Sequence, residues 1–478
     1  MPRGNVRGGN MEINLIKELM NRLWEKYEYV SLLASDAVGK SYGVSGRGIN
    51  VAENAMLCEC GYVIKAYNGR SYCEYSFNEL DGETLEAVPA ILDGLFEAKE
   101  RLGGLIDGCQ INEYGRIPDE EEKLFCEKEY EDDPEKSSDE EIINSLKALR
   151  ESAMARDERL LDCDAAVTYQ KYSKYFISPK RELSQNMLWM AGWVKVMAKK
   201  GEAVKSCFES FSNPGGTKIF GVMDKVAEKT VKSTLELLES EHITPGEYDC
   251  ICAPEVTGMI VHEAFGHGVE MDMFVKDRAL AREYIGKYVA SPLVTMHDGA
   301  AAANEVASYN FDDEGMSARD TVIIDKGILK SGISDAQTSM ALGCVFTGNG
   351  RRESFERKAY TRMTNTFFEH GTDKLEDMIA SVEHGFLLEN AICGMEDPKN
   401  WGIQCMVNIA REIKDGKLTG KVYSPVVLSG YVPDLLKSIS MMSEKTDLCG
   451  SGFCGKGYKE WVKVSDGGPY IKARVKLG

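Results

Sequence analysis

The chain has 478 residues, more than one compact core usually spans, so two domains are the starting expectation. Its formal net charge of −19 provides no basic footprint for nucleic acid or an anionic membrane, and 43% hydrophobic with 9% aromatic content marks a globular protein. No run reaches the roughly 18 apolar residues of a membrane span, and the first residues lack the apolar core of a signal peptide, so the expected location is cytoplasmic. Fourteen cysteines scattered along the chain read as reduced, mostly buried residues. The pairs Cys58/Cys60 and Cys250/Cys252 have C-x-C spacing, which on a strand puts both thiols on one face and does not match the C-x-x-C of metal sites.

Taken in order, residues 1–10 are rich in Gly and Arg without apolar period and read as a disordered extension. Over residues 12–27, Ile13, Leu15, Ile16, Leu19, Met20 and Leu23 fall on one helical face. Residues 62–67 and 71–77 flank Asn68-Gly69 and predict a hairpin with a type I′ turn. A helix follows near Pro89, burying Ile91, Leu92, Leu95, Phe96 and Leu102. The acidic tract at 118–141 reads as a solvated loop or helix face. A second helix is expected over 142–161, then a hairpin of 194–198 with 203–208. A further helix carries Val222, Val226, Val231 and Leu235 toward Thr244-Pro245-Gly246. That punctuation places the domain boundary, giving an N-terminal α+β domain over 11–243.

Residues 244–478 read differently. Strands and glycine turns dominate, at 321–330 around Asp325-Lys326-Gly327 and at 407–427 around Lys414-Asp415-Gly416-Lys417. Residues 461–477 alternate again. The expected fold class is α+β, with the second domain a mainly antiparallel β structure carrying one metal-binding helix.

That helix contains His262-Glu263-Ala264-Phe265-Gly266-His267, two of only six histidines around a carboxylate. Two imidazoles beside a general base are the donor set of a hydrolytic zinc centre. In the familiar H-E-x-x-H the second His lies four residues on, on the same helical face. Here it lies five on, and an ideal helix would hold the rings roughly 140° apart. Gly266 would resolve the mismatch through either an αL helix end or a π-bulge, and the sequence leaves both open. A catalytic zinc takes three protein ligands, so one comes from elsewhere. Glu270, His297, Asp298, Cys449 and Cys454 are the candidates, and spacing does not rank them. Cys454 lies in a glycine-rich segment with Lys456 nearby to favour its thiolate.

Four blocks carry a resemblance. His262 to Gly268 with Glu270, the run Thr347-Gly348-Asn349-Gly350-Arg351-Arg352-Glu353-Ser354, the run Arg362-Met363-Thr364-Asn365-Thr366 and the terminal Cys454-Gly455-Lys456 resemble the signature blocks of the TldD/PmbA metallopeptidases. The HExxxH motif places the chain on the TldD-like side. The likeness runs in order from about residue 254 to the end and is vaguer from about residue 30. One departure is that Gly457-Tyr458-Lys459-Glu460 replaces the glycine and glutamine that usually follow the closing Cys-Gly-Lys. The resemblance implies His262, His267 and Cys454 as zinc ligands and Glu263 as general base. It implies hydrolysis of small peptides or unfolded polypeptides, and a homodimer or a heterodimer with a PmbA-like subunit. Glu270 is a candidate to orient a ligand His, and Asn349, Arg351 and Arg352 are candidates to line the substrate cleft, with a phosphate nest as the rival for that run. The rival functions are a zinc hydrolase acting on a non-peptide amide and a catalytically silent assembly subunit.

Overall fold

The computed structural model describes residues 10–53, 57–105, 114–457 and 459–478, with residues 10–12, 104 and 105 described in backbone only. The expected extension at 1–10 lies outside the described residues except for Asn10, which opens the first helix. The architecture is α+β.

Eight strands form the first sheet: β1 (Tyr29–Ser45), β2 (Gly48–Ala52), β3 (Glu59–Tyr67), β4 (Tyr72–Phe77), β5 (Glu122–Cys126), β6 (Leu160–Ile177), β7 (Arg181–Lys200) and β8 (Ala203–Asn213). Their order is β4-β3-β1-β6-β7-β5, with β2 on β1 and β8 on β7. Because side chains alternate across a strand, each of the long central strands serves two faces. On one face Val30, Leu32, Tyr62 and Ile64 pack with the helices Asn10–Trp24 and Gly82–Leu105. Further along, Tyr42, Val44, Val167 and Val194 pack with the helices Asp139–Met154 and Phe220–Leu237. The other face meets the second half of the chain. Leu33, Phe176 and Leu183 close on Phe311, Lys65 pairs with Glu314, and Lys174 pairs with Asp313.

Several sequence expectations are corrected here. The turn of the β3–β4 hairpin centres on Gly69-Arg70, and Gly69 alone has positive φ (91°). Asn68 instead accepts the Arg70 and Ser71 amides with its side chain, an Asx turn in place of type I′. The acidic tract is not simply solvated: part of it is β5, paired in parallel with β7, and Asp133 is buried and ion-paired to Lys171 at 2.7 Å. The helix expected over 142–161 stops at Met154, and Leu160 and Leu161 already belong to β6. Val222 is exposed while Met223, Ala227 and Val231 face the sheet.

In the second half, Gly246–Cys252, Ile471–Leu477, Val426–Tyr431, Gly402–Lys414 and His384–Asp397 pair in that order, and the last pairs back with the first to close a ring. A six-stranded sheet lies beside it and includes Met296–Asp298, Asn365–Phe368, Ser465–Gly468 and, at its edge, Asp447–Cys449. The alternating segment 461–477 therefore serves three pairings instead of one strand. Lys459–Lys463 forms a hairpin with Phe453–Lys456, Ser465–Gly468 joins the six-stranded sheet, and Ile471–Leu477 joins the ring. The helix bearing HExxxH is buried in this half: Val261 and Phe265 are fully buried in one core with Leu388, Trp401 and Val407.

Candidate metal centre

The strand Gly246–Cys252 leads through Ala253 into a helix at Pro254–Met259, with Pro254 in the first turn where its missing N–H costs nothing. From Ile260 to Gly266 the helix widens to π geometry, and the His267 N–H donates to the His262 carbonyl, an i to i+5 bond. This register brings the two imidazoles onto one side, their centroids 5.2 Å apart. Gly266 itself has ordinary right-handed angles (φ −58°, ψ −52°), so neither a left-handed turn nor glycine's φ freedom is used. Space is what it supplies, since a Cβ there would lie 2.3 Å from the sulfur of fully buried Met363. Gly266→Ala is expected to lower stability by about 1–3 kcal/mol in urea unfolding, the usual range for overpacking a core, and unchanged stability would show that Met363 simply moves aside.

The hairpin Phe453–Lys456 with Lys459–Lys463 brings Cys454 to the two rings. Its Sγ lies 3.1 Å from His262 Nε2 and 3.3 Å from His267 Nε2, and the three donor atoms lie within 4.8 Å of one another. Burial pushes the Cys454 thiol up, but the two imidazoles beside it pull it well below its ordinary range. Burial likewise pushes the His262 imidazolium down, and the thiolate more than offsets this, raising it to about 9. Two protons on nitrogen facing one thiolate is a charge arrangement that a single divalent cation replaces well. Buried N, N and S lone pairs converging on one point fit zinc, which suits the chemistry of this donor set.

Behind the donors lies a second set of contacts. Glu270 Oε2 is 3.3 Å from His267 Nδ1, fixing which ring nitrogen faces Cys454. Arg362, fully buried, donates to Glu270 Oε1 at 3.1 Å, to Cys454 Sγ at 3.0 Å, to the Cys454 carbonyl and to the Glu460 carbonyl. Lys456 Nζ reaches Glu270 at 3.1 Å and Asp272 at 2.6 Å. The cation bonded to the thiolate is thus Arg362, and Lys456, expected in that role, serves the carboxylates. His262 Nδ1 has no hydrogen-bond partner among the described residues, with Asp466 Oδ2 at 4.0 Å.

Glu263 shares the π turn with both His and faces a cavity of about 1020 Å³ that His262, His267 and Cys454 also line. Burial lifts its carboxyl to about 7. Gly394 makes room for it, because a Cβ there would meet Glu263 Cγ at 2.5 Å. Glu396, which no motif marks, brings a carboxylate within 4.8 Å of the ligand atoms of Glu263 and His267.

The other candidates are placed elsewhere. His297 is bonded to Asp320 and Glu369, and Asp298 is buried among Asn349, Thr364 and Thr366. Cys449 lines the cavity but lies against Ser210 and Ser212. Asn349 is fully buried, holding Asp298 and the Arg362 carbonyl, and so does not face the cleft. Arg351 donates to the Met363 carbonyl and Arg352 pairs with Glu74 at 2.9 Å; both line a different, smaller cavity. The rival phosphate nest is likewise spoken for, since the Gly350 and Arg352 amides already donate to Asp312 and Asp313. The metal cluster does not include Cys58, Cys60, Cys250 or Cys252.

Residues 245–476 match the C-terminal domain of the PmbA/TldA metallopeptidases. This half of the chain belongs to the TldD/PmbA family. It is 32% identical over 247 residues to a metalloprotease TldD homolog of Haemophilus influenzae, covering 52% of this chain and 51% of that one. With a zinc metalloprotease TldD homolog of Saccharolobus solfataricus it shares 29% over 311 residues, covering 64% and 69%. The chain spans about half the length of several curated relatives, 52% in the case of a metalloprotease of Methanocaldococcus jannaschii. The fold itself is similar end to end to TldE from Thermococcus kodakarensis, with a TM-score of 0.74 at 16% identity over 97% of this chain and 100% of that one. No helix among the described residues is long and apolar enough to cross a membrane.

Proposed function

We propose that the chain is a zinc-dependent peptidase in which His262, His267 and Cys454 hold the metal and Glu263 is the general base. The observation that carries this is the π turn, which puts a carboxylate and two convergent imidazoles on one short stretch facing one cavity. Zinc, when bound, supplies Lewis acidity that acidifies water and polarises a carbonyl. The remaining chemistry belongs to side chains. Glu263, half-buried beside the donors, takes a proton from the attacking water and can return it to the leaving amine. Glu270, Arg362 and Lys456 keep His267 and Cys454 oriented. The cavity is large enough for a peptide, and the edge strand Asp447–Cys449 lines it, so an extended substrate can bind by strand addition with broad sequence tolerance. Small peptides and unfolded polypeptides are the substrates this geometry suits. A cytoplasmic setting, carried over from the sequence reading, and a dimer, with itself or with a PmbA-like subunit, which rests on the family resemblance, complete the proposal.

The purified chain should carry about one zinc per chain and digest an unfolded protein, with loss on chelation and recovery on zinc addition. Zinc without any digestion would favour the silent assembly subunit, and neither zinc nor digestion would reject the proposal. Cys454→Ser should weaken zinc retention by more than the roughly 10–100-fold typical of an outer contact, measured by competition with a chelator. Wild-type retention would remove Cys454 from the site.

A further inference from the structure

Behind the Cys454 hairpin lies the second cavity, of about 310 Å³. In the hairpin Cys454 pairs with Val462 and Phe453 with Lys463, so alternation sends Lys463 to the face opposite the thiolate. Three side chains lining this cavity carry buried donors that have no partner among the described residues: Lys463 Nζ, Trp189 Nε1 and Arg352 Nε. Lys463 is 6% exposed and Trp189 2%. The Lys463 amine sits 4.1 Å from the Trp189 ring centroid and 4.8 Å from that of Phe453. Cation–π contact offsets some of its lost hydration, yet leaves its three N–H groups without acceptors. Unpaired buried donors cost free energy, and three around one cavity define what is missing, namely an acceptor.

We propose that this cavity is a binding site for a carboxylate carried on an apolar body, with the carboxylate on Lys463 and Trp189. The aromatic walls Trp189, Phe453, Trp461 and Tyr172 suit such a body. A monoanion is favoured over phosphate because Asp313, Glu353 and Glu356, which line the space together with Lys174, Arg351, Arg352 and Arg357, would repel a second negative charge. The acids other than Glu356 already accept hydrogen bonds from backbone amides, which leaves the free donors to the ligand. Burial holds the Lys463 ammonium down at about 7, so an anion would restore its charge. Phe453 and Trp461 wall both this cavity and the larger one. The carboxylate therefore has two sources: the C-terminal end of a peptide extending from the metal site, which rests on the peptidase proposal, or a free small acid, which does not.

Calorimetric titration separates these. N-acetylphenylalanine should bind the full chain saturably and its C-terminal amide at least tenfold more weakly. Lys463→Met should abolish that preference, and Trp189→Phe, which keeps the ring but removes the N–H, should reduce it. A decapeptide acid is then titrated in a Glu263→Gln background so that nothing is cleaved. Binding at least tenfold tighter than N-acetylphenylalanine identifies the peptide end as the source, and equal binding identifies the free acid. Because no turnover is read, failure of the peptidase proposal leaves the result interpretable. Equal affinity for acid and amide, or an acid preference that survives in folded Lys463→Met and Trp189→Phe proteins, overturns the proposal.

Discussion

Glu263→Gln should slow peptide cleavage about 10²- to 10⁴-fold, the usual contribution of a general base, while zinc content stays at the wild-type level. The substitution is close to isosteric, so the amide occupies the same space that Gly394 leaves for this side chain. The amide retains the shape and loses the ability to take a proton. Stability should not fall. Burial raises the Glu263 carboxyl to about 7 in the fold, above its unfolded value, so in the metal-free protein its ionisation opposes folding increasingly as pH rises from the unfolded value through 7. Removing it should leave the metal-free variant as stable as wild type or more so at pH 8, by thermal unfolding. Cleavage within threefold of wild type would reassign the proton transfer, with Glu396, which clusters with Glu263 and His267, the alternative carboxylate.

How much of this was legible in the sequence depended on how local each signal was. The HExxxH spacing demanded a break in helical register, and the π turn provides it; the glycine beside His267 was noticeable, but its purpose, room for Met363, depends on a residue almost a hundred positions away. The turns at Asp325-Lys326-Gly327 and Asp415-Gly416 are chemically explicit and stand where expected, with positive φ at Lys326, Gly327, Asp415 and Gly416. The long strands were less visible. β1, β6 and β7 bury both faces along part of their length, one under helices and the other against the second half of the chain, so their patterns do not read as one alternating run. Charge hid β5, whose five residues include Glu122 and Lys123. Among site residues, Arg362 stood inside a visible block but its role did not, because its partners Glu270, Cys454 and Glu460 are about a hundred residues away on either side. Glu396 carries no local mark at all.

Arg362→Met is expected to produce the largest loss of stability, about 3–5 kcal/mol, because it removes one partner of a buried ion pair and leaves the other. Arg362 and Glu270 are 0% and 1% exposed, so water cannot replace the lost contact. Glu270 would keep Lys456 and His267, which holds the cost within that range. Two carbonyls, of Cys454 and Glu460, would lose their guanidinium donors as well, loosening the hairpin that carries the thiolate. Zinc retention should therefore fall roughly 10–100-fold, the scale of outer-contact losses at metal sites. Arg362→Lys separates charge from geometry. An ammonium preserves the net charge, but a single nitrogen cannot reach the carboxylate, the thiolate and both carbonyls that the planar guanidinium spans. Its stability should lie between Met and wild type, while its zinc retention should stay nearer to Met. Urea unfolding and chelator competition measure the two quantities independently. If Arg362→Met unfolds at the wild-type midpoint and keeps its zinc, the guanidinium is not what orients Cys454, and the hairpin alone must hold the thiolate against the two imidazoles.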